Sequence, residues 1–271
     1  MTTGEQLLYC TVRLEGRTVN GMTSVGTGFL YYSQDRLWVV SNKHVVDQVV
    51  EGYLFMHQSA EADEKTLVPA SVLRVDFRGS DFRGHDDPDV DLAVANISSI
   101  FSGFREKNLY PYHRHVSPEF IPSEATIEQS IGALEEIIFV GYPNGIWDTA
   151  HNLPVFRKGI TATPYAVDFL NRKQFLIDAS VFPGSSGSPV FLFNSGSYPG
   201  KSGGLQVGSR LFLLGLISSV YTRKENGEMI VQDVPTAVQS ILRVQQMLDL
   251  GIVIKADRVE EAAIQAAMAG R

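Results

Sequence analysis

The sequence contains a single cysteine, Cys10, in 271 residues. One thiol can form neither an intramolecular disulfide nor a cysteine-rich zinc site, and it points to a reducing compartment, read here as the cytoplasm. No apolar run approaches the roughly 18 residues of a membrane-spanning helix. The opening MTTGEQLLYC lacks a basic stretch followed by an apolar one, so no secretory leader is legible. Basic residues are scarce as well. The 23 Lys and Arg against 30 Asp and Glu leave a net charge of −7. That balance argues against nucleic acid or an anionic membrane as a partner. Glycine (24) and proline (12) are too few and too irregular for a collagen-like or low-complexity chain, and no repeat recurs at a fixed period. What remains is an ordinary globular balance, 44% hydrophobic and 20% charged, in a chain long enough to bury a core unaided.

Short runs rich in Val, Ile, Leu, Phe and Tyr, punctuated by Gly, Asp or Ser, predict strands. They cover 25–32, 37–41, 53–57, 71–77 and 91–97, and then 136–141, 156–163, 174–180, 188–193, 210–221 and 228–234. Asn226-Gly227, between the last two, is a hairpin signal. The stretch between the two clusters has three prolines in FREKNLYPYHRHVSPEFIPSE and no clean period. The expected organisation is an N-terminal β-unit over 1–104, a connector over 105–133, a C-terminal β-unit over 134–235 and a helical tail over 236–271. The glycine-rich segment 195–209 reads as an exposed loop. Thr236 as N-cap, with Val238, Ile241, Leu242 and Leu248 on one face and Gly251 past the stop, predicts a helix. A second helix is expected over 257–269, Ala- and Glu-rich, with an apolar face weak enough to need another surface. The fold class is therefore all-β, with two six-stranded antiparallel units and a C-terminal helix.

Three segments carry chemistry. In Leu37-Trp38-Val39-Val40-Ser41-Asn42-Lys43-His44 a buried strand delivers a histidine into a turn, where a general base can be both held and exposed. In Asp87-Pro88-Asp89-Val90-Asp91-Leu92-Ala93-Val94 polar residues lead into an apolar strand. Asp91 at that boundary can orient an imidazole through its Nδ1–H. The alternating Asp87, Asp89 and Asp91 do not make an EF-hand, because Leu92 and Ser98 stand where that loop needs Gly and Glu. In Phe182-Pro183-Gly184-Ser185-Ser186-Gly187-Ser188-Pro189 small residues permit a sharp turn. Its consecutive N–H groups can face an oxyanion while Ser186 Oγ projects as nucleophile. Taken alone, each segment also fits a plainer role: a hydrogen-bonded core histidine, an acidic surface turn, a flexible Gly/Ser loop. Their order, His44, Asp91, Ser186, with the first two in one β-unit and the third in the other, is far more specific than any one of them.

With these residues the sequence resembles the trypsin-like, chymotrypsin-fold serine peptidases, and in particular the disulfide-free bacterial branch with the Deg/high-temperature-requirement proteases. The matching pieces are Gly26-Thr27-Gly28-Phe29, Ser41-Asn42-Lys43-His44-Val45, Asp91-Leu92-Ala93-Val94, Val140-Gly141-Tyr142-Pro143, the run Asp178 to Pro189, and Gly215-Leu216-Ile217-Ser218. The resemblance covers about residues 7–250, and no PDZ-like segment follows it. It implies two Greek-key barrels of chymotrypsin type. It also implies a serine endopeptidase that works through a His44-Asp91-Ser186 triad and an acyl-enzyme. The backbone of Gly184, Ser185 and Ser186 would form the oxyanion hole, and no metal or organic cofactor is required. By the same resemblance Ser180 lies at the base of the primary specificity pocket and Ser218, Ser219 and Val220 line its wall. This implies a small, neutral pocket for an aliphatic or small side chain. Asp178, two residues from Ser180, is the one acid that could reach it instead. Ser185 stands where trypsin-type zymogens carry an Asp, so activation by a freed N-terminus is not expected.

The implied partners are a protein or peptide substrate and a regulatory protein, since an intracellular protease, as in an effector of a signalling or defence system, must be restrained. The alternative is a peptide- or protein-binding module on the same fold with vestigial catalysis. Elsewhere the expectations are plain. His113 and His115 belong to a solvated connector, His85 to a loop, Cys10 to the core, and Tyr31, Tyr32 and Trp38 to barrel walls. Lys43 has no legible role.

Overall fold

The computed structural model describes every residue except 63–64, 144–145, 202, 224–228, 234–245 and 271. The two clusters of apolar runs form two antiparallel sheets. The first half comprises α1 (Thr3–Leu7), β1 (Thr11–Thr18), β2 (Thr23–Ser33), β3 (Arg36–Ser41), α2 (Lys43–Val46), β4 (Val49–Ser59), β5 (Leu67–Phe77), β6 (Arg83–Gly84), β7 (Ala93–Asn96), α3 (Ser98–Arg105), β8 (Tyr110–Tyr112) and α4 (Glu124–Ser130). Its strands pair in the order β5-β4-β1-β2-β3-β7-β6, with β8 added against β4.

The second half comprises β9 (Glu136–Gly141), β10 (Val155–Thr161), β11 (Gln174–Asp178), β12 (Pro189–Asn194), β13 (Ser197–Pro199), β14 (Leu205–Val207), β15 (Arg210–Arg223), β16 (Met229–Asp233), β17 (Gln246–Lys255) and α5 (Asp257–Ala269). Here β9, β10, β11, β17, β15 and β12 close into a ring of six, because β12 bonds both β9 and β15. Strand β16 lies outside the ring, against β15. The second unit is thus the six-stranded barrel expected, whereas the first is an eight-stranded sheet.

Each unit has its own apolar core. Val12, Leu14, Leu30, Val39, Leu54 and Met56 anchor the first. Ile137, Phe139, Phe175, Ile177, Leu214 and Val253 anchor the second. A third cluster lies between them and joins Phe29, Tyr31, Trp38 and Leu92 of the first half to Val140, Phe191, Leu213 and Leu216 of the second. Helix α5 completes that third cluster with Val259, Ala262, Ala263, Ala266 and Ala267. Its boundaries match the sequence expectation, and so does its need for a surface. Small alanines let the helix approach closely, and polar bonds fix it. Tyr31 Oη donates to Glu260 Oε2 at 2.7 Å and Ser33 Oγ donates to Glu260 Oε1 at 2.9 Å.

Several expectations are corrected. Residues 246–255 form a barrel strand, β17, not the end of a helix through Leu248 and Gly251. Ile252, Val253 and Ile254 are buried on both faces, and a short, wholly apolar run has no period that separates strand from helix. Thr236, Val238, Ile241 and Leu242 lie outside the described residues, as does the Asn226-Gly227 turn. The segment 195–209 contains the small β13–β14 hairpin. Strand β1 was not predicted, although Val12 and Leu14 alternate with Arg13 and Glu15 in the pattern of a half-buried strand. The stretch read as a connector is partly sheet. Strand β8 pairs with β4, and Val116 forms an isolated bridge with Tyr31 of β2, with a 2.8 Å bond from the Tyr32 N–H to the Val116 carbonyl.

Candidate active site

Strand β3 is buried from Leu37 to Ser41. Past it, Asn42 has extended backbone and the four-residue α2 begins. This places His44 one residue inside a turn whose base is fixed in the core. Asp91 enters just before β7, on the strand's apolar lead-in Leu92. The two segments are joined first by backbone. Asn42 Nδ2 donates to the Asp91 carbonyl at 2.7 Å, and the His44 N–H donates to Asp91 Oδ1 at 3.1 Å. The side chains then meet, with His44 Nδ1 2.6 Å from Asp91 Oδ2 and His44 Nε2 2.9 Å from Ser186 Oγ. With a proton on Nδ1 bound to the carboxylate, Nε2 is left as the acceptor for the serine hydroxyl, the tautomer a general base requires. The structure therefore brings together the three residues singled out by order.

Asp91 is the electrostatic centre of the group. Burial pushes its carboxyl up. The bond and charge of His44, its backbone N–H and the Ser218 hydroxyl outweigh that, so the net shift is below the ordinary 3.8. Ser218 Oγ donates to Asp91 Oδ2 at 2.9 Å. Ser218, expected on a pocket wall, thus bonds to Asp91. Asp47, just past α2, is pushed upward by burial and by the nearby Asp91 charge.

The Ser186 turn is built by its glycines. The Ser185 N–H donates to the Phe182 carbonyl at 3.0 Å, with Pro183 second and Gly184 third at φ +88°. That is the signature of a type II turn, which needs glycine at its third position. The Ser185 N–H, expected in an oxyanion hole with those of Gly184 and Ser186, is used inside this turn. Gly187, at φ +83°, has no room for a side chain, since a Cβ would lie 2.0 Å from the Thr27 carbonyl.

Thr27 is the functional residue that its motif alone did not reveal. It is fully buried and belongs to β2 of the first sheet. Its N–H donates to the Ser186 carbonyl at 2.9 Å. Its hydroxyl donates to the Gly184 carbonyl at 3.0 Å and accepts from the Tyr142 N–H at 2.9 Å. Its carbonyl accepts from Ser41 Oγ at 2.8 Å. The only sequence signal was its place between Gly26 and Gly28.

The remaining candidates fall as follows. Ser180 is half-buried just past β11, and Asp178 on β11 is exposed. Ser219 and Val220 are buried on β15, Val220 within the barrel cluster. Lys43 Nζ donates to the Asp87 carbonyl at 3.1 Å. His85 lies in the loop after β6, as expected, but is not exposed. It is buried, accepts from the Asp87 N–H on Nδ1 at 3.0 Å and lies 3.3 Å from Glu261 of α5 through Nε2. His113 is not solvated: its ring packs edge-on to Phe101, and burial holds it down at about 4. Cys10 is buried and pushed up to about 12 by burial. Tyr31 and Trp38 are core residues, while Tyr32 is exposed beside His115.

Comparison with known proteins bears on the family and the fold. The family described as the trypsin-like peptidase domain matches residues 26–200, well over half of the chain. No curated protein matches the chain in sequence. Among solved structures, the HtrA-type protease AlgW with a tripeptide superposes at a TM-score of 0.51 and 15% identity, over 98% of this chain and 63% of that one. The serine endoprotease from Yersinia pestis gives 0.49 and 15%, over 100% of this chain and 69% of that one. The chain therefore spans less than two thirds of the AlgW chain, and at this identity the likeness concerns the fold.

Two outcomes follow. Thr27→Val orphans the Gly184 carbonyl and the Tyr142 N–H in a buried site. It should cost about 1–3 kcal/mol in urea unfolding, largely restored in Thr27→Ser; a valine variant as stable as wild type refutes the clamp. Asp91, held below its ordinary value, contributes stability that is complete above the unfolded pKa and disappears as pH falls through the folded one. The stability difference between wild type and Asp91→Asn should therefore shrink as unfolding is measured below about pH 4. A difference independent of pH refutes it.

Proposed function

The chain belongs to the trypsin-like peptidase family, and from that premise we propose that it is a serine endopeptidase acting through His44, Asp91 and Ser186. The observation that carries this reading is the unbroken relay from Asp91 Oδ2 through His44 to Ser186 Oγ at 2.6 and 2.9 Å. In the proposed reaction Ser186 Oγ attacks the peptide carbonyl while Nε2 takes its proton. The tetrahedral oxyanion is held by the N–H groups of Gly184 and Ser186. His44 then returns the proton to the leaving amine, and water releases the acyl group by the same steps in reverse. Asp91 fixes the tautomer and stabilises the imidazolium. Every step is supplied by side chains and backbone.

We further propose that the residue before the scissile bond is small or aliphatic. The support is the neutral lining expected from Ser180 and Ser219, with Asp178 exposed on β11. A buried cationic side chain without a carboxylate partner would cost several kcal/mol. The proposed setting is the cytoplasm, with a protein or peptide substrate and a regulatory protein that restrains the enzyme.

A fluorophosphonate should label wild-type protein at Ser186 and leave folded Ser186→Ala unlabelled. Peptide turnover should fall by about 10⁴–10⁶ in kcat in either Ser186→Ala or His44→Ala, with the double variant little worse. Near-normal turnover in folded Ser186→Ala refutes the assignment. Among matched peptides, Val at the position before the cleaved bond should outperform Arg. A preference for Arg of about tenfold, lost in Asp178→Asn, would make Asp178 the specificity residue instead.

A further inference from the structure

Strand β15 has two edges. Along one of them β17 pairs from Gly215 to Arg223. Along the other, β12 pairs from Arg210 to Leu216. The nucleophile turn prolongs that second ladder. The Gly187 N–H donates to the Ile217 carbonyl at 2.9 Å, and the Ile217 N–H donates to the Ser188 carbonyl at 3.0 Å. Ser218 follows, with its hydroxyl on Asp91. The edge beyond Ser218 is therefore the strand edge that leads away from the triad, where an extended peptide could add by main-chain pairing and reach Ser186 with its forward end.

That edge is occupied by the chain itself. Strand β16 pairs antiparallel with it, from Asp233 opposite Ser219 to Met229 opposite Arg223. Because β17 holds the other edge over these residues, β16 must lie on the side of β12 and the nucleophile. It also runs toward Ser186, with Asp233 nearest and Met229 farthest, the direction a substrate would take. Ser186 itself has no exposed surface. We infer that β16, Met229-Ile230-Val231-Gln232-Asp233, is a built-in strap that fills the substrate edge and keeps the site closed until it is displaced. The inference rests on the peptidase reading above.

The strap is a weak element by construction. It ends the sheet order and pairs with β15 alone among the described residues, so it opens at lower cost than a ring strand bonded on both edges. Peptide hydrolysis then scales with the fraction of molecules in which β16 has left. Anything that bound the released strand, or competed for the edge, would activate the enzyme.

Two variants test this. Proline at both Val231 and Gln232 removes a ladder N–H whichever of the two faces β15. Rates of peptide cleavage and fluorophosphonate labelling should rise by about tenfold, with Ser186→Ala in the same background inert. Rates equal to wild type in a folded protein overturn the strap while leaving the peptidase reading intact. Labelling and cleavage absent from wild type and both variants alike overturn the peptidase reading, and the strap with it. If the proline variant does not fold, a cysteine pair decides. Tyr221 and Val231 stand opposite each other, and Tyr221→Cys with Val231→Cys should cross-link, since Cys10 is buried. The oxidised protein should be inert toward peptide and regain cleavage on reduction. Equal cleavage in both redox states, or thiols that fail to pair, overturns the proposal.

Discussion

One residue ties the two halves together beside His44, Asp91 and Ser186. Thr27 is buried in the first sheet, yet three of its four hydrogen bonds go to the second half: to the Ser186 carbonyl, the Gly184 carbonyl and the Tyr142 N–H. His44 and Asp91 are fixed by the first sheet, Ser186 by a turn ahead of the second barrel. The 2.9 Å between His44 and Ser186 is thus set by how the two units meet. Thr27 fixes that meeting through directional bonds, where apolar contact alone would allow sliding. Gly187 is the counterpart: only a residue without Cβ lets the turn come so near to the Thr27 carbonyl.

Around that clamp the charges balance locally. Asp91 is half-removed from water, a costly position for an isolated carboxylate. Donors from His44 backbone, His44 ring and Ser218 repay it, and each comes from a different constraint: the turn after β3, the imidazole tautomer, and β15. Ser218 also makes the second unit report to the first, because the strand that borders the nucleophile also holds the acid.

The grouping of His44, Asp91 and Ser186 was legible because each announces itself locally: a histidine ending an apolar strand, an acid starting one, a serine among glycines and prolines. Their order supplied the rest. Helix α5 was legible from propensity and from an apolar face too weak to stand alone. What escaped depends on tertiary partners. β17 is apolar on both faces and so has no period. The hydroxyls of Thr27 and Ser218 are ordinary until the chain folds, and the use of the Ser185 N–H depends on a turn type. His85 and His113 sit among polar neighbours in sequence and are nevertheless packed, by α5 and by Phe101.

The placement of β17 and α5 has a consequence for how the protein is made. Synthesis delivers His44, Asp91 and Ser186 long before residues 246–267. Until then the ring lacks the strand between β11 and β15, and the cluster between the two units lacks Val259, Ala262 and Ala263. His44, Asp91 and Ser186 can all be outside the exit tunnel while the framework that aligns them is still missing. On the peptidase reading proposed above, a nascent chain of this design would be able to cut only once that late segment is in place.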